Sequence, residues 1–239
     1  MVDGWSDAAR AGFEGLLLPW RCLCCGACAP DGMDLCPPCR RDLPWNAVAC
    51  PSCALPLPAA PAALCAECRS DPPPFARLLA PLRYAFPVDR LLVGLKFRAR
   101  LEHGRLLGGL VRAWLDTTDH GIDGGLPLLP MPLHRRRLAT RGFNQAAELA
   151  RVIAPLLGAR LAPGLAVRLR PTPAQSRLDA ATRRRNLAGA FAVPAHPPRR
   201  VLVVDDVVTT GATVRELSRT LRAAGCEEVL VLAVARAGR

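Results

Sequence analysis

The segment Val201-Leu-Val-Val-Asp-Asp-Val-Val-Thr-Thr-Gly-Ala-Thr213 carries the clearest structural pattern in the chain. Its first four residues form an apolar run that is too short for a helix and typical of a buried strand. Asp205 and Asp206 follow where such a strand would end, and we expect their carboxylates to face solvent there. Gly211 then lies in a turn rich in hydroxyl groups. The segment therefore predicts a strand, a polar turn and the start of a helix.

The same order of strand, loop and helix recurs on both sides of this segment. Leu126–Met131 and Val229–Val234 are short apolar runs that predict further buried strands. Asn144 can cap a helix through Ala146–Leu157, and a second helix is predicted over Val214–Ala224. Strands that alternate with helices are typical of a parallel sheet with crossover helices. We therefore predict an α/β fold built on a parallel sheet.

The turn after the central strand has the chemistry of a sugar-phosphate site. Asp205 and Asp206 can accept hydrogen bonds from the vicinal hydroxyls of a ribose, directly or through a metal-bound water. The turn's glycine lets the backbone approach a ligand closely, and the amides that follow lie at the positive end of a helix dipole. The predicted phosphate-binding residues are Thr209, Thr210, Gly211, Ala212 and Thr213.

Ten of the 11 cysteines lie between Cys22 and Cys68, and eight of them form Cys-x-x-Cys pairs. Each pair can supply two thiolates to a tetrahedral zinc ion, and two pairs complete a four-sulfur site. Cys25 and Cys28 have the same spacing as Cys22 and Cys25, but Gly26 favours the latter pair because it can turn backbone amides toward sulfur. The predicted ligands are Cys22, Cys25, Cys36, Cys39, Cys50, Cys53, Cys65 and Cys68.

Eight thiolates predict about two structural zinc ions. Consecutive pairs can share an ion, or the first pair can combine with the third and the second with the fourth. Disulfides and a thioredoxin-type redox pair are disfavoured, because no export signal is recognised and the pairs lie in proline-rich loops. The stretch has few large apolar residues, so we expect metal to order it, and we expect a chelator to unfold this first module only.

Asp71-Pro-Pro-Pro74 predicts a short stiff link between two domains. We place an N-terminal helix and the zinc-binding module in residues 1–74 and the sheet domain in residues 75–239. No apolar run is long enough to span a membrane, and the first residues lack the basic-then-apolar order of a signal peptide. These features predict a cytoplasmic protein without a membrane span.

The net charge of +12 is concentrated between Met131 and Arg200, where 14 arginines face only two acidic residues. Such a segment favours phosphate, nucleic acid or acidic partners. The competing interpretation is general arginine use, which the base composition of a gene could cause, since Lys96 is the only lysine. A nucleoside triphosphatase is excluded, because no Gly-x-x-x-x-Gly-Lys-Ser/Thr loop is present.

The segment from Val201 to Thr213 resembles the signature of type I phosphoribosyltransferases. Nearly the whole chain resembles the ComF family of competence-associated proteins, with its ComFC-like and GntX-like members. Besides the cysteine pairs and the Asp-Asp-Val-Val-Thr-Thr-Gly turn, the resemblance rests on Leu95-Lys96-Phe97, Pro130-Met-Pro-Leu-His134, Arg141-Gly-Phe-Asn-Gln145 and the stretch from Gln175 to Asn186.

This resemblance implies a type I phosphoribosyltransferase fold that binds 5-phosphoribosyl 1-pyrophosphate (PRPP) together with Mg²⁺. It also implies pyrophosphate contacts in the turn after the strand that ends at Met131, from Arg135, Arg136, Arg137 and Arg141. The stretch Arg170–Leu187 would form a flap that orders on the ligand. The flap residues implied to contact the ligand are Gln175, Arg183, Arg184 and Asn186.

Three functions remain open at this point. The first is transfer of the phosphoribosyl group to an acceptor, which stays unidentified because Thr209 stands where purine-using relatives often place a third aspartate. The second is a competence factor that handles single-stranded DNA or contacts DNA-uptake proteins, although only Phe143 and Phe191 could stack on bases within the basic segment. The third is a regulator that binds the sugar phosphate without turnover.

Overall fold

The computed structural model of the chain describes residues 20–29, 32–58, 64–171 and 187–238. Two compact units divide between Leu43 and Pro44. The first unit contains the first two cysteine pairs and a short helix, α1 (Pro37–Arg41). The predicted N-terminal helix lies outside the described residues. The predicted domain boundary at residue 74 concerns independent folding, and it stays a prediction.

The second unit alternates strands and helices as the sequence predicts, and the α/β class is confirmed. Its elements in chain order are α2 (Ala66–Ser70), β1 (Arg77–Leu79), β2 (Leu82–Arg83), α3 (Val88–Arg98), α4 (Leu101–Thr117), β3 (Leu128–Pro130), α5 (Arg135–Arg141), α6 (Gln145–Ile153), a 3-10 turn at Pro163–Leu165, β4 (Val167–Arg168), β5 (Phe191–Ala192), β6 (Arg200–Val208), α7 (Ala212–Ala223) and β7 (Glu228–Arg236).

A parallel sheet with the order β1-β7-β6-β3 forms the centre of this unit, and β2 pairs with the far end of β7. β6 and β7 pair along nearly their whole length, from Arg200 opposite Glu228 to Val208 opposite Arg236. β4 and β5 form a separate antiparallel ribbon. Because β3 and β6 run in the same direction, the loops that follow them meet at one edge of the sheet.

Helix α4 packs against α3 and α6. A β-carbon at Gly108 would come within 2.8 Å of Val152 on α6, so glycine is required for this close approach. On the other side, buried His103 places its Nδ1 2.9 Å from the carbonyl oxygen of Leu91 on α3. The His103 contact therefore ties α4 to α3, the helix whose Lys96 reaches Asp206 on β6.

Several element bounds differ from the sequence prediction, and two of the differences have a clear physical cause. Asn144 caps α6 as predicted, accepting a hydrogen bond from the Ala146 amide at 3.0 Å, but the helix ends at Ile153. Pro155 explains the early end, because a helix normally stops at or before the residue that precedes proline. β6 continues beyond the predicted end at Val204 to Val208, since β7 offers hydrogen-bond partners along this whole length.

Within the described ranges, no helix combines the length and apolar character that a membrane crossing requires.

Candidate functional site

The turn between β6 and α7 lies where the sequence predicts a phosphate loop. Gly211 is the N-cap of α7 and has a φ of +77°, which a residue with a side chain rarely adopts. Glycine has no side chain that could cap the first helical amides, so they are available to an external acceptor. The amide of Ala212 lies 3.5 Å from the hydroxyl oxygen of Thr210, at the outer limit of a hydrogen bond. This turn can accept an anionic oxygen.

The two carboxylates that precede the turn are buried. Asp205 is 8 % exposed and Asp206 is 2 % exposed, and both line one cavity at the sheet edge. The expectation that they face solvent at a strand end is wrong, because β6 continues for two residues beyond them and the cavity walls cover them. Two adjacent buried carboxylates are costly in a folded protein unless a cation or a ligand offsets their charge.

Lys96 supplies part of that offset. Its Nζ donates to Oδ2 of Asp206 at 3.0 Å, across 110 residues of chain. Burial raises the pKa of Asp205 well above its usual range, the charge of Asp206 raises it further, and Lys96 lowers it. Lys96 lies in the Leu95-Lys96-Phe97 motif, but no local pattern in the sequence predicts a role for it. Its status as the only lysine was the one signal that could have drawn attention to it.

Arginines also line the cavity. Arg136, Arg137 and Arg141 line it from α5, and Arg168 lines it from β4. His134 is the N-cap of α5, and its Nδ1 accepts a hydrogen bond from the Arg136 amide at 3.2 Å. β4 holds only two residues and is far from the other segments in sequence, so no sequence pattern indicates Arg168.

Burial lowers the pKa of Arg141, whereas the charge of Asp206 raises it. Burial likewise lowers the pKa of Arg168, with Arg137 acting in the same direction and Asp205 opposing it. The guanidinium of Arg141 also lies 5.6 Å from the centre of the Phe97 ring and donates to Gln145. The arginines and the carboxylates are therefore close enough to influence one another across the cavity.

The cavity has a volume of about 1040 Å³, at the upper end of what is usual for small-molecule sites. Of the residues predicted to bind phosphate or pyrophosphate, Arg135 and Gly211 are not among its lining residues, although Gly211 shapes the turn beside it. Four flap residues lie outside the described residues: Gln175, Arg183, Arg184 and Asn186. The predicted residues that do line the cavity are Arg136, Arg137, Arg141, Asp205, Asp206, Thr209, Thr210, Ala212 and Thr213.

The cysteine pairs combine consecutively, which resolves the pairing that the sequence leaves open. Cys22, Cys25, Cys36 and Cys39 form one group, and within it the sulfurs of Cys25 and Cys36 are 3.6 Å apart. A tetrahedral zinc ion with Zn–S bonds of about 2.3 Å requires sulfurs about 3.8 Å apart, so this group fits zinc. Cys28 lies outside the group, as predicted.

Backbone amides support this first group. Burial alone would raise the pKa of Cys22, but hydrogen bonds from three backbone amides outweigh it and lower the pKa to about 6. Cys24 is exposed, yet partial burial and the neighbouring thiolates raise its pKa to about 11. Cys24 is not among the four sulfurs of this group, which all lie within 4.8 Å of one another.

Cys50, Cys53, Cys65 and Cys68 form the second group, and all four are buried. The sulfurs of Cys53 and Cys65 are 3.7 Å apart, which again fits a tetrahedral zinc ion. These cysteines belong to the hydrophobic core of the sheet unit. The sequence led us to expect that a chelator unfolds only a separate first module. Because the ligands of the second group pack against the sheet, loss of this zinc ion should also destabilise the sheet unit.

Comparisons with known proteins agree with this architecture. The family described as "Double zinc ribbon domain" matches residues 14–69, and the family described as "Phosphoribosyl transferase domain" matches residues 139–239. The two matched segments contain both cysteine groups and the turn between β6 and α7. They support structural zinc in the first segment and a phosphoribosyltransferase domain in the second.

Relatives match along most of the chain. The "DNA utilization protein YhgH" of Salmonella typhimurium is 34% identical over 225 residues, which cover 92% of this chain and 99% of that protein. The protein of the same name from Escherichia coli K12 is 34% identical over 232 residues, with the same coverage. "Competence protein F" of Haemophilus influenzae is 32% identical over 179 residues, which cover 72% of this chain and 78% of that protein. The chain therefore belongs to the ComF family of competence-associated proteins.

Proposed function

We propose that the cavity binds PRPP with Mg²⁺ and that the chain transfers its phosphoribosyl group to an acceptor. The observation that carries this proposal is the convergence of three chemistries on one cavity: the glycine turn before α7, the buried carboxylate pair of β6 and the arginines of α5. PRPP offers one group to each, namely a 5-phosphate, two ribose hydroxyls and a pyrophosphate. The phosphoribosyl transferase domain that matches residues 139–239 agrees with this assignment.

Each group of residues has a defined task in this proposal. The amides and hydroxyls from Thr209 to Thr213 hold the 5-phosphate at the start of α7. Asp205 and Asp206 accept hydrogen bonds from the ribose hydroxyls. Oxygen ligands of this kind also suit Mg²⁺, which would neutralise charge on the pyrophosphate. Arg137 and Arg141 bind the pyrophosphate oxygens, which planar guanidinium groups can hold in pairs.

In the transfer step, the bond between ribose C1 and the pyrophosphate oxygen breaks and a bond from C1 to the acceptor forms. Pyrophosphate leaves with the electron pair, and the acceptor loses a proton. The chain contributes by orienting the donor and by stabilising the leaving pyrophosphate with arginines in a cavity that excludes part of the solvent. Thr209 lines the cavity without an ionisable group, so the acceptor must release its proton to another group or to water.

Titration calorimetry with PRPP and Mg²⁺ tests this proposal. Asp206→Asn removes one ribose ligand and the charge partner of Lys96, and we expect a loss of affinity of about 100-fold. Asp123→Asn is the matched control, because Asp123 is an exposed carboxylate that pairs with Arg200 at the other end of β6. Equal affinity in the two variants would contradict the site. Product analysis over candidate acceptors then separates an enzyme from a regulator that binds without turnover.

A second candidate function is contact with single-stranded DNA at the same face. Two relatives carry the names "DNA utilization protein" and "Competence protein F". Phe97 is 69% exposed, and Tyr84 lines the cavity beside it, so aromatic groups from outside the basic segment lie next to its arginines. Bases stack on such rings, and arginines track the phosphate backbone. DNA-uptake proteins would be the partners in this setting.

Filter binding of single-stranded DNA over a salt series tests the second candidate. Phe97→Ala should weaken binding by about 10-fold with an unchanged salt dependence, because stacking is not ionic. Arg98→Gln, on the same helix, should reduce the salt slope by about one unit. DNA binding that responds to neither variant would exclude this face as the contact surface.

A further inference from the structure

The second cysteine group lies next to the phosphate loop, which we define as Thr209–Thr213. Arg236, the last residue of β7, bridges the two. Its Nε donates to the carbonyl oxygen of Cys53 at 3.1 Å. Its Nη1 donates to the carbonyl oxygen of Val208 at 3.1 Å and also to that of Thr209. One guanidinium group therefore holds a zinc ligand's backbone and the start of the loop together.

Burial makes this bridge stiff. Arg236 is only 3% exposed, and its hydrogen bonds to carbonyl oxygens are shielded from competing water. A small cavity of about 10 Å³ lies among Cys53, Thr210, Gly211 and Arg236, with room for about one water molecule at most. The loop and the cysteine group are thus separated by little more than the arginine side chain.

A second arginine makes a similar bridge from the helix that follows the loop. Arg215 lies in the first turn of α7, is 5% exposed, and its amide donates to the carbonyl oxygen of Gly211 at 2.9 Å. Its guanidinium donates to the backbone oxygen of Asp71 at 2.9 Å and to that residue's carboxylate at 3.2 Å. Asp71 is the C-cap of α2, the helix that carries Cys68. Both ends of the loop are therefore tied to the second cysteine group.

We propose that Arg236 and Arg215 are positioning residues that couple the second zinc site to the phosphate loop. Metal at Cys50, Cys53, Cys65 and Cys68 fixes the carbonyl oxygens that these arginines bind, and the arginines fix the loop from both ends. The loop then presents its amides in a single arrangement before any ligand arrives. The role in phosphate binding rests on the proposed function, whereas the coupling itself can be measured without a ligand.

Hydrogen exchange of the zinc-loaded, ligand-free protein measures the coupling directly. In Arg236→Gln we expect the amides of residues 209–213 to exchange about tenfold faster, while those of residues 200–204 at the far end of β6 keep their rates. Arg199→Gln is the matched control, because Arg199 pairs with exposed Glu227 and should leave the loop unchanged. Unchanged loop exchange in Arg236→Gln would overturn the proposal.

Arg215→Gln keeps the proposal testable if the Arg236 variant does not fold. It should accelerate exchange at residues 211–213, whereas Arg219→Gln on the same helix should not, since Arg219 pairs with Glu216. Equal exchange in the two variants would contradict the coupling.

Zinc release provides the reciprocal measurement, because coupling between two sites acts in both directions. PRPP with Mg²⁺ should slow chelator extraction of one of the two zinc ions several-fold in the wild-type protein, and Arg236→Gln should abolish this protection. If PRPP does not bind the wild-type protein, the proposed function fails, and the ligand-free exchange rates still decide the coupling. If PRPP binds but protects neither zinc ion, the coupling is refuted while the proposed function stands.

Discussion

The two ends of β6 differ in where their charged residues lie and in how they are paired. At the amino end, Arg199 pairs with Glu227 at 2.7 Å, and Arg200 pairs with both Asp123 and Glu228. A hydrogen bond from Arg199 lowers the pKa of Glu227. These pairs lie at the surface, where solvent screens them and each contributes little to stability.

At the carboxyl end, charges are buried and only partly matched. Asp205 and Asp206 lie side by side, and Lys96 pairs with the second of them. Among the described residues, the Arg141 side chain contacts Gln145 and Phe97 rather than a carboxylate. The amino end therefore carries paired surface charge, whereas the carboxyl end carries unbalanced buried charge, which is typical of functional sites and agrees with the proposed ligand site.

The largest expected effect extends this comparison to the zinc sites. Cys65→Ser with Cys68→Ser should lower the Tm by about 10 °C or more and abolish PRPP binding, because the second group shares the core of the sheet. Cys36→Ser with Cys39→Ser is the matched change in the first compact unit, and it should leave the unfolding transition of the sheet unit within about 2 °C. Scanning calorimetry measures both. Equal losses would show that the two zinc sites have the same role.

A loss of PRPP affinity of intermediate size is expected at Arg141, near the carboxyl end of β6, and almost none at Arg199, near its amino end. Arg141→Gln should weaken PRPP binding about 10–100-fold, because a charge-assisted contact to pyrophosphate is lost. Arg199→Gln should change the affinity by less than about twofold, since its charge is neutralised by Glu227. Calorimetric titration of both variants tests the contrast. Small and equal losses would favour an extended nucleic-acid track over a compact pyrophosphate site.

A smaller effect is expected for Asp205→Asn, and here the substitution should increase the stability of the ligand-free protein. Because folding raises the pKa of Asp205, the folded state favours its protonated form, and the ionised form destabilises the fold. Asp205→Asn should therefore raise the Tm of the ligand-free protein by about 2–4 °C at pH 8, an effect of the order of 1 kcal/mol, although it impairs ribose binding. The gain should shrink as the pH falls from the raised pKa of the folded state toward the ordinary value of 3.8, below which the carboxyl is protonated in both the folded and the unfolded wild-type protein.

Glu228→Gln serves as the control for this prediction. It removes a surface partner of Arg200 at the amino end, so it should lower the Tm slightly or leave it unchanged. A wild-type protein that is more stable than Asp205→Asn across the whole pH range would contradict the assigned cost of the buried carboxylate.

Local patterns in the sequence predict much of this architecture. The apolar runs indicate the parallel sheet, the Cys-x-x-Cys spacing identifies the ligands of both cysteine groups, and Gly211 marks the turn. Neither the way in which the Cys-x-x-Cys pairs combine into groups nor the role of Lys96 could be predicted, because both depend on contacts between distant segments. Lys96 reaches Asp206 across 110 residues, and Arg236 reaches Cys53 across 183.

The burial of Asp205 and Asp206 was missed for a different physical reason. Charged residues after an apolar run normally mark the end of a strand at the surface. Here Val207 and Val208 continue the pairing with β7, so the strand carries both carboxylates into the cavity. A departure of this kind from local rules is typical of functional sites, where stability is sacrificed for binding.

A crystal structure of the zinc-loaded protein with PRPP and Mg²⁺ tests the central claim most directly. The account predicts the 5-phosphate against the amides of residues 211–213, the ribose hydroxyls at Asp205 and Asp206, and the pyrophosphate facing Arg137 and Arg141. A donor bound elsewhere, or a 5-phosphate bound to the arginines of α5 with the phosphate loop unused, would contradict it.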